Sequence, residues 1–214
     1  MRRIAVFCVL VVFGCGGSDS PTPVPLPPPS VPPPTNINGS WRGVLDRGTF
    51  SLPEAQSVRC LEQFLQFLMD GFDDEFPLRL NIIAQQASGS AQVGAVAAFT
   101  VRDTDFDGGF VGLAEGNTVT IDATESALVV GYLESVRILT PGIDEEGLYR
   151  CGGASNGSDF VQLENGTSRF RGDVSGDTWS GDYTEINRVT VFRRVPPNQS
   201  GTLTFEAEFN VQRQ

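Results

Sequence analysis

The sequence predicts an all-β fold: an antiparallel up-and-down barrel or strongly curved sheet of about 8–10 strands, with one amphipathic helix inserted after the first strand. Three observations carry that expectation. Beyond residue 35, short β-branched or alternating runs recur between closely spaced Gly, Asn, Asp and Ser. The connections between runs are mostly short, which favours a meander, and closing such a sheet removes its pairing edges. Helical spacing of apolar residues, by contrast, is concentrated in one stretch.

Three segments follow from the N-terminus. Arg2 and Arg3 form a basic start and residues 4–13 an apolar run too short to span a bilayer as a mature helix, so residues 1–14 read as an export signal. Val12-Phe13-Gly14-Cys15 resembles the bacterial lipobox, and the resemblance implies that Cys15 is lipidated, with palmitate among its acyl chains, and becomes the new N-terminus. The partner would then be a lipid bilayer, held stably by two or more chains where one is marginal. Gly16 stands where aspartate commonly retains such lipoproteins at the inner membrane, so the resemblance points to the bacterial envelope and its outer membrane. The alternative is an ordinary secretory peptide cut elsewhere, with Cys15 incidental. Residues 15–35 form a linker, in which residues 21–34 hold nine of the fourteen prolines and no charge. Such a run favours polyproline II and reaches roughly 40 Å at ~3.1 Å per residue, a stiff stalk for the single domain at residues 36–214.

Composition excludes several chemistries. Thirteen arginines beyond the signal face twenty-six acidic residues, a formal charge of −13, which leaves no basic face for nucleic acid. The chain has no histidine and no lysine, removing Ser-His-Asp and Cys-His nucleophiles, histidine zinc sites and lysine Schiff bases. Of four cysteines, Cys8 lies in the signal and Cys15 is the lipid acceptor. Cys60 and Cys151 are left to form one disulfide in an exported protein. Two buried free thiols are the alternative.

The strand candidates in the domain are residues 41–49, 78–84, 92–101, 110–114, 118–122, 127–138, 160–163, 168–174, 179–184, 189–195 and 202–211. The last is the clearest, with Leu203, Phe205, Ala207, Phe209 and Val211 inward and Thr204, Glu206, Glu208 and Asn210 toward water. Turn signals EGNT, ENGT and SGDT separate runs. The helical stretch is residues 51–72, where Val58, Leu61, Leu65, Leu68 and Phe72 share a face, Ser51 suits the cap, Pro53 the first turn and Gly71 the end. Its apolar stripe would cover an open end or flank of the sheet.

NGSWRGVL at residues 38–45 resembles the start of a calycin or lipocalin-type β-barrel, where Gly-x-Trp opens the first strand and the tryptophan closes one barrel end; Gly39 and Trp41 match. GNTVTI, RFRGDVSGDTWSGDYT and VTVFRRV likewise resemble hairpins and the final strand of calycin-like domains in bacterial lipoproteins. The resemblance implies an arginine packed over the tryptophan, either Arg193 or Arg194, and a cavity that often holds a small hydrophobic ligand. A helix after the first strand and a strand beyond Pro196 and Pro197 depart from the pattern.

The sharpest motif for chemistry is DTDFDGG at residues 103–109, whose Asp103, Asp105 and Asp107 alternate ahead of glycine as in calcium loops. The twelfth position, which an EF-hand fills with glutamate, is Ala114, with Glu115 one place late. A hairpin tip rich in Asp and Gly is the plainer alternative. The acidic clusters at 70–75 and 144–146 read as solvated turns. No other cofactor is implied. The first function class is therefore a membrane-anchored, extracytoplasmic, non-enzymatic binding or interaction module, taking a small hydrophobic ligand in the barrel or an envelope protein on it. The alternatives are a carboxylate-based hydrolase of envelope polymers and a calcium-dependent interaction domain.

Overall fold

A computed structural model describes residues 35–72, 75–87, 89–101, 104–125, 128–136, 148–151, 159–164 and 166–214. Cys15, residues 1–14 expected as an export signal, the proline-rich run, Asp103 and the 144–146 cluster lie outside the described residues. The strands are β1 (Gly39–Leu45), β2 (Thr49–Ser51), β3 (Phe76–Ala87), β4 (Ser90–Val101), β5 (Thr104–Glu115), β6 (Thr118–Ala123), β7 (Tyr149–Arg150), β8 (Phe160–Leu163), β9 (Thr167–Ser175), β10 (Thr178–Phe192) and β11 (Gln199–Arg213). Among the described residues the other elements are α1 (Arg59–Gly71), α2 (Leu128–Val136) and a 3-10 turn at Pro53–Gln56.

Eight of these strands close an antiparallel barrel in the order β1, β3, β4, β5, β6, β9, β10, β11. Closure is made by β11, which pairs with β10 along almost its whole length and with β1 through Trp41↔Arg213 to Leu45↔Phe209. Beyond Leu45 the short β2 takes over the same side of β11, and β8 and β7 extend the wall beyond β9 on the far side of β10. At the seam only glycine fits at position 43, because a Cβ there would stand 1.9 Å from the Asn210 carbonyl oxygen of β11. The β5–β6 and β9–β10 connections are two-residue hairpins at the predicted EGNT and SGDT signals, with Gly116 and Gly176 at φ of 58° and 60°.

The interior is made by alternate residues of every strand, and aromatic rings dominate it. Phe170 is the hub. Its ring centroid lies 4.7 Å from Tyr183, 5.1 Å from Phe110, 5.2 Å from Phe209, 6.1 Å from Phe99 and 6.2 Å from Trp179. A second cluster joins the barrel to the helices: Phe72, just after α1, packs at 4.6 Å on Tyr132 of α2, 5.0 Å on Phe50 and Phe76 and 5.4 Å on Phe205.

Four expectations are corrected. The run 127–138 contains α2 rather than a strand: Leu128, Val129, Tyr132, Leu133 and Val136 recur at i, i+1, i+4, i+5 and i+8, and all five are buried. The β-branched residues read as strand, but packing overrides that preference. The helix at 51–72 is broken. Ser51 belongs to β2, Pro53 opens the 3-10 turn, and extended backbone at Val58 precedes α1. Gly71 remains inside α1, where a Cβ would stand 1.8 Å from the Tyr132 hydroxyl, so close approach of the two helices explains this glycine. Residues 179–184 and 189–195 belong mainly to one 15-residue strand, β10. The strand past Pro196 and Pro197, read as an addition to the barrel, is the one that closes it.

Because Phe170 touches five other rings, truncating it leaves a void that the neighbouring strands cannot fill. Phe170→Ala is expected to lower unfolding free energy by about 3–5 kcal/mol, measured by urea denaturation.

Candidate functional site

One end of the barrel is built around Gly39 and Trp41 of β1. Gly39 adopts φ of 125°, a region that favours glycine, and turns the chain into β1. Trp41 is fully buried and donates its indole N–H to the Ile37 carbonyl at 3.0 Å. Thr35 is tied to the β5–β6 turn, its N–H to the Gly116 carbonyl at 2.9 Å and its hydroxyl to Asn117 at 2.7 Å. The chain therefore crosses this end between the hairpin and β1. The arginine over the tryptophan is neither Arg193 nor Arg194 but Arg213, whose guanidinium carbon lies 4.8 Å from the Trp41 ring centre and which also donates to the Asn36 carbonyl. Arg193 instead faces Asp159 at 3.6 Å, and the Arg194 backbone N–H donates to the same carboxylate at 3.1 Å. The reason is the closing strand: Arg213 lies on β11, directly opposite Trp41.

Among the described residues the interior holds one fully buried carboxylate, Glu185 on β10. It accepts the N–H groups of Leu128 and Val129 at 3.1 Å each, the Tyr183 hydroxyl at 2.6 Å and the Asn187 side-chain amide at 3.2 Å. Leu128 and Val129 begin α2, whose first amides have no partner within the helix, so the barrel wall supplies the cap. Burial first, and then the charge of Glu185, push the Tyr183 phenol well above 10, keeping it the donor of that pair. The sequence reading missed this carboxylate. Its signal was an acidic residue at an inward position of the alternating run Tyr183, Glu185, Asn187, Val189.

At the other end, Cys60 of α1 is bonded to Cys151 with Cα atoms 5.3 Å apart, as expected. The bridge fastens α1 beside β7. A 91-residue separation gives it about 4–5 kcal/mol in the chain-entropy picture.

On the outer wall, residues 104–109 are in β5, so the hairpin tip reading is corrected for them: Thr104 already pairs with Val101 of β4. Asp105 and Asp107 lie two apart on the outward face of β5, roughly 7 Å along the strand. Both oxygens of Asp105 are engaged, by the Arg79 guanidinium and by the Thr100 hydroxyl at 2.6 Å. Those hydrogen bonds, Thr100 first, hold its carboxyl below the usual range. Among the described residues no group of three or more Cys, Asp or Glu side chains is placed to hold a metal ion.

Further along the same wall, Ile83 of β3 and Val111 of β5 flank Gly94 of β4 in one row, Asn81, Val96 and Gly109 form the next row, and Gln85, Gln92 and Leu113 the one beyond. Ile83 and Val111 are 71% and 70% exposed and Val96 and Leu113 48% and 47%, four large apolar side chains bordered by Asp107 of β5 and by Asp122 of β6, which stands directly opposite Val111. Between Ile83 and Val111 runs a groove of about 530 Å³ with Gly94 as its floor. A contrasting groove of about 580 Å³ lies over the β1–β2 break, lined by Asp46, Asp182, Glu206 and Glu208, with Asp182 directly opposite Glu208.

No family model, curated protein or solved structure matches the chain. What defines it is the architecture: a closed eight-stranded antiparallel barrel with an aromatic interior, a helix capped from inside the wall, and exposed apolar residues on the outer face of β3, β4 and β5.

Two outcomes follow for the polar groups. Glu185→Gln keeps the shape but gives up hydrogen bonds to a charged group, and is expected to cost about 1.5–3 kcal/mol in urea unfolding with the α2 amides losing exchange protection first. Asp105 is expected to titrate below 3.8 by carboxyl NMR and to move upward in Arg79→Gln. With the folded value depressed, its stabilisation is present above the unfolded value and disappears as pH falls through the folded one.

Proposed function

We propose that the protein is a lipid-anchored lipoprotein of the bacterial envelope, attached through Cys15 to the outer membrane, whose calycin-like barrel is a non-enzymatic interaction module. The lipobox-like Val12-Phe13-Gly14-Cys15 and the uncharged proline run behind it support the anchor and the stalk. Gly39, Trp41 and Arg213, grouped at one barrel end, support the calycin comparison.

The observation that carries the interaction role is the contrast between the two faces of the wall. Inward positions are occupied by mutually packed rings, whereas outward positions on β3, β4 and β5 expose Ile83, Val96, Val111 and Leu113 around a groove. A contiguous apolar face of this kind is a place where a partner removes surface from water. An envelope protein held on the wall therefore has more support than a small hydrophobic ligand held in the lumen. The acidic groove of Asp46, Asp182, Glu206 and Glu208 favours one second reading, carboxylate-based hydrolysis of envelope polymers, because paired acids about 5–10 Å apart suit glycoside cleavage. A calcium-dependent domain would draw on Asp103, Asp105 and Asp107, but Asp105 is already committed to Arg79 and Thr100.

The anchor is tested by metabolic labelling with palmitate: the wild-type chain is expected to carry label and enter the detergent phase, and Cys15→Ser to lose both. The module is tested in the same cells with a photo-crosslinking residue at Val111 or, as control, at Ser180 on β10 half-way round the barrel. Capture at position 111 and not at 180 is expected; equal capture would remove the wall from consideration. Release of reducing ends from envelope glycan, lost in Asp182→Asn and Glu208→Gln, would establish the hydrolase instead.

A further inference from the structure

We propose that the Cys60–Cys151 bridge is a thiol–disulfide exchange site, opened by a small anionic thiol that enters a groove beside α1 and attacks the Cys151 sulfur. Exchange requires access to the bridge, a good leaving thiolate and a charge environment that suits the attacking one. A groove of about 330 Å³ reaches both cysteines and is lined by Arg59, Cys60, Gln63, Cys151 and Asp159. The two cysteines are packed into the fold yet keep 7% and 8% of their surface open. Cys60 is the leaving group. It is the second residue of α1 and precedes the first helical hydrogen bond, from the Glu62 N–H to the Val58 carbonyl, and Val58 supplies no side-chain cap. Negative charge released on the Cys60 sulfur is therefore met by the helix N-terminus. Glu62, the acidic residue of that first turn, stands about 200° round the helix from Cys60.

Charge selects the thiol. Asp159 is already engaged, by the Arg193 guanidinium at 3.6 Å and by the Arg194 backbone N–H at 3.1 Å. Arg59 is exposed and makes no ion pair among the described residues. The groove is thus locally positive on a chain that carries −11, and it favours a thiolate bearing carboxylates. Attack of that thiolate forms an S–S bond to Cys151 and breaks the bond to Cys60, whose electron pair leaves as the Cys60 thiolate. A second thiolate then displaces Cys151. Two thiols become one disulfide, and the two cysteines gain two electrons and the two thiol protons. What the bridge holds can part without unfolding the barrel. Cys151 follows β7, which is paired only through Tyr149↔Val161 and Arg150↔Phe160, whereas α1 also buries Leu61, Phe64 and Leu68. Opening the bridge frees the β7 edge from α1 while Tyr149 still rests on Phe64 and Phe67, at 5.4 and 5.1 Å.

The test uses the folded full chain, without denaturant and at low salt, exposed either to glutathione, an anionic thiol, or to cysteamine, a cationic one. Samples are quenched with iodoacetamide and mapped by peptide mass spectrometry, which separates Cys60 and Cys151 from the other two cysteines. The bridge is expected to open at least about ten-fold faster than the β10 amides exchange by global unfolding. The trapped intermediate is expected to carry glutathione on Cys151 and the alkyl group on Cys60. In Arg59→Gln the ratio of the glutathione rate to the cysteamine rate is expected to fall about three-fold, with the thermal midpoint unchanged. Opening no faster than unfolding, or glutathione found on Cys60, overturns the site. An unchanged rate ratio in Arg59→Gln overturns the selection of an anionic thiol.

Discussion

Everything in this protein depends on the double pairing of β11. A sheet of seven strands ending in β10 would leave two long edges open, one on β10 and one on β1, and β11 satisfies both. Closure sets a small interior. Eight strands leave room for little beyond their own side chains, and here the inward positions hold Trp41, Trp179, Tyr183 and a set of phenylalanines in ring-to-ring contact. With the inside so occupied, the surfaces left for recognition are the outer wall and the two ends. One end is taken by Trp41 under Arg213, and the other by the two helices.

Much of this was legible because strand periodicity is a local property. The alternation in β11 places Leu203, Phe205, Ala207, Phe209 and Val211 inward as expected, and the Gly116 and Gly176 turns fall where Gly-Asn and Gly-Asp stand between runs. Local patterns cannot say which strand meets which. The run 202–211 reads as surplus to the barrel because the partner of its strand, β1, lies more than 150 residues earlier. For the same reason the local pattern points to Arg193 or Arg194 for the arginine over Trp41, whereas Arg213 of the closing strand holds that place. α2 failed differently: its helical spacing was visible in Leu128, Tyr132 and Val136, but three valines in nine residues weighed toward strand.

The candidate surface was the least legible part, and the reason is physical. An outward valine or isoleucine in a strand is locally the same as an inward one, so Ile83 passed as an ordinary strand residue, as did Val96 and Val111. Only the register shows that three such residues converge around Gly94. The Asp-rich motif shows the converse case. Its spacing resembled a loop built for an ion, while the ladder with β4 pulls Thr104 onward into strand and gives Asp105 to an arginine on β3.

The cap on α2 bears on the order in which the chain can fold. Glu185 is synthesised more than fifty residues after the amides it satisfies, and until β10 is in place the helix lacks its N-terminal acceptor. Before then, LVVGYLESV is an apolar, valine-rich, weakly charged segment, the composition that cross-pairs most readily between unfolded chains. The finished barrel hides in a helix the stretch by which its own nascent form would aggregate, and any delay in delivering β10 and β11 lengthens the time that stretch is bare.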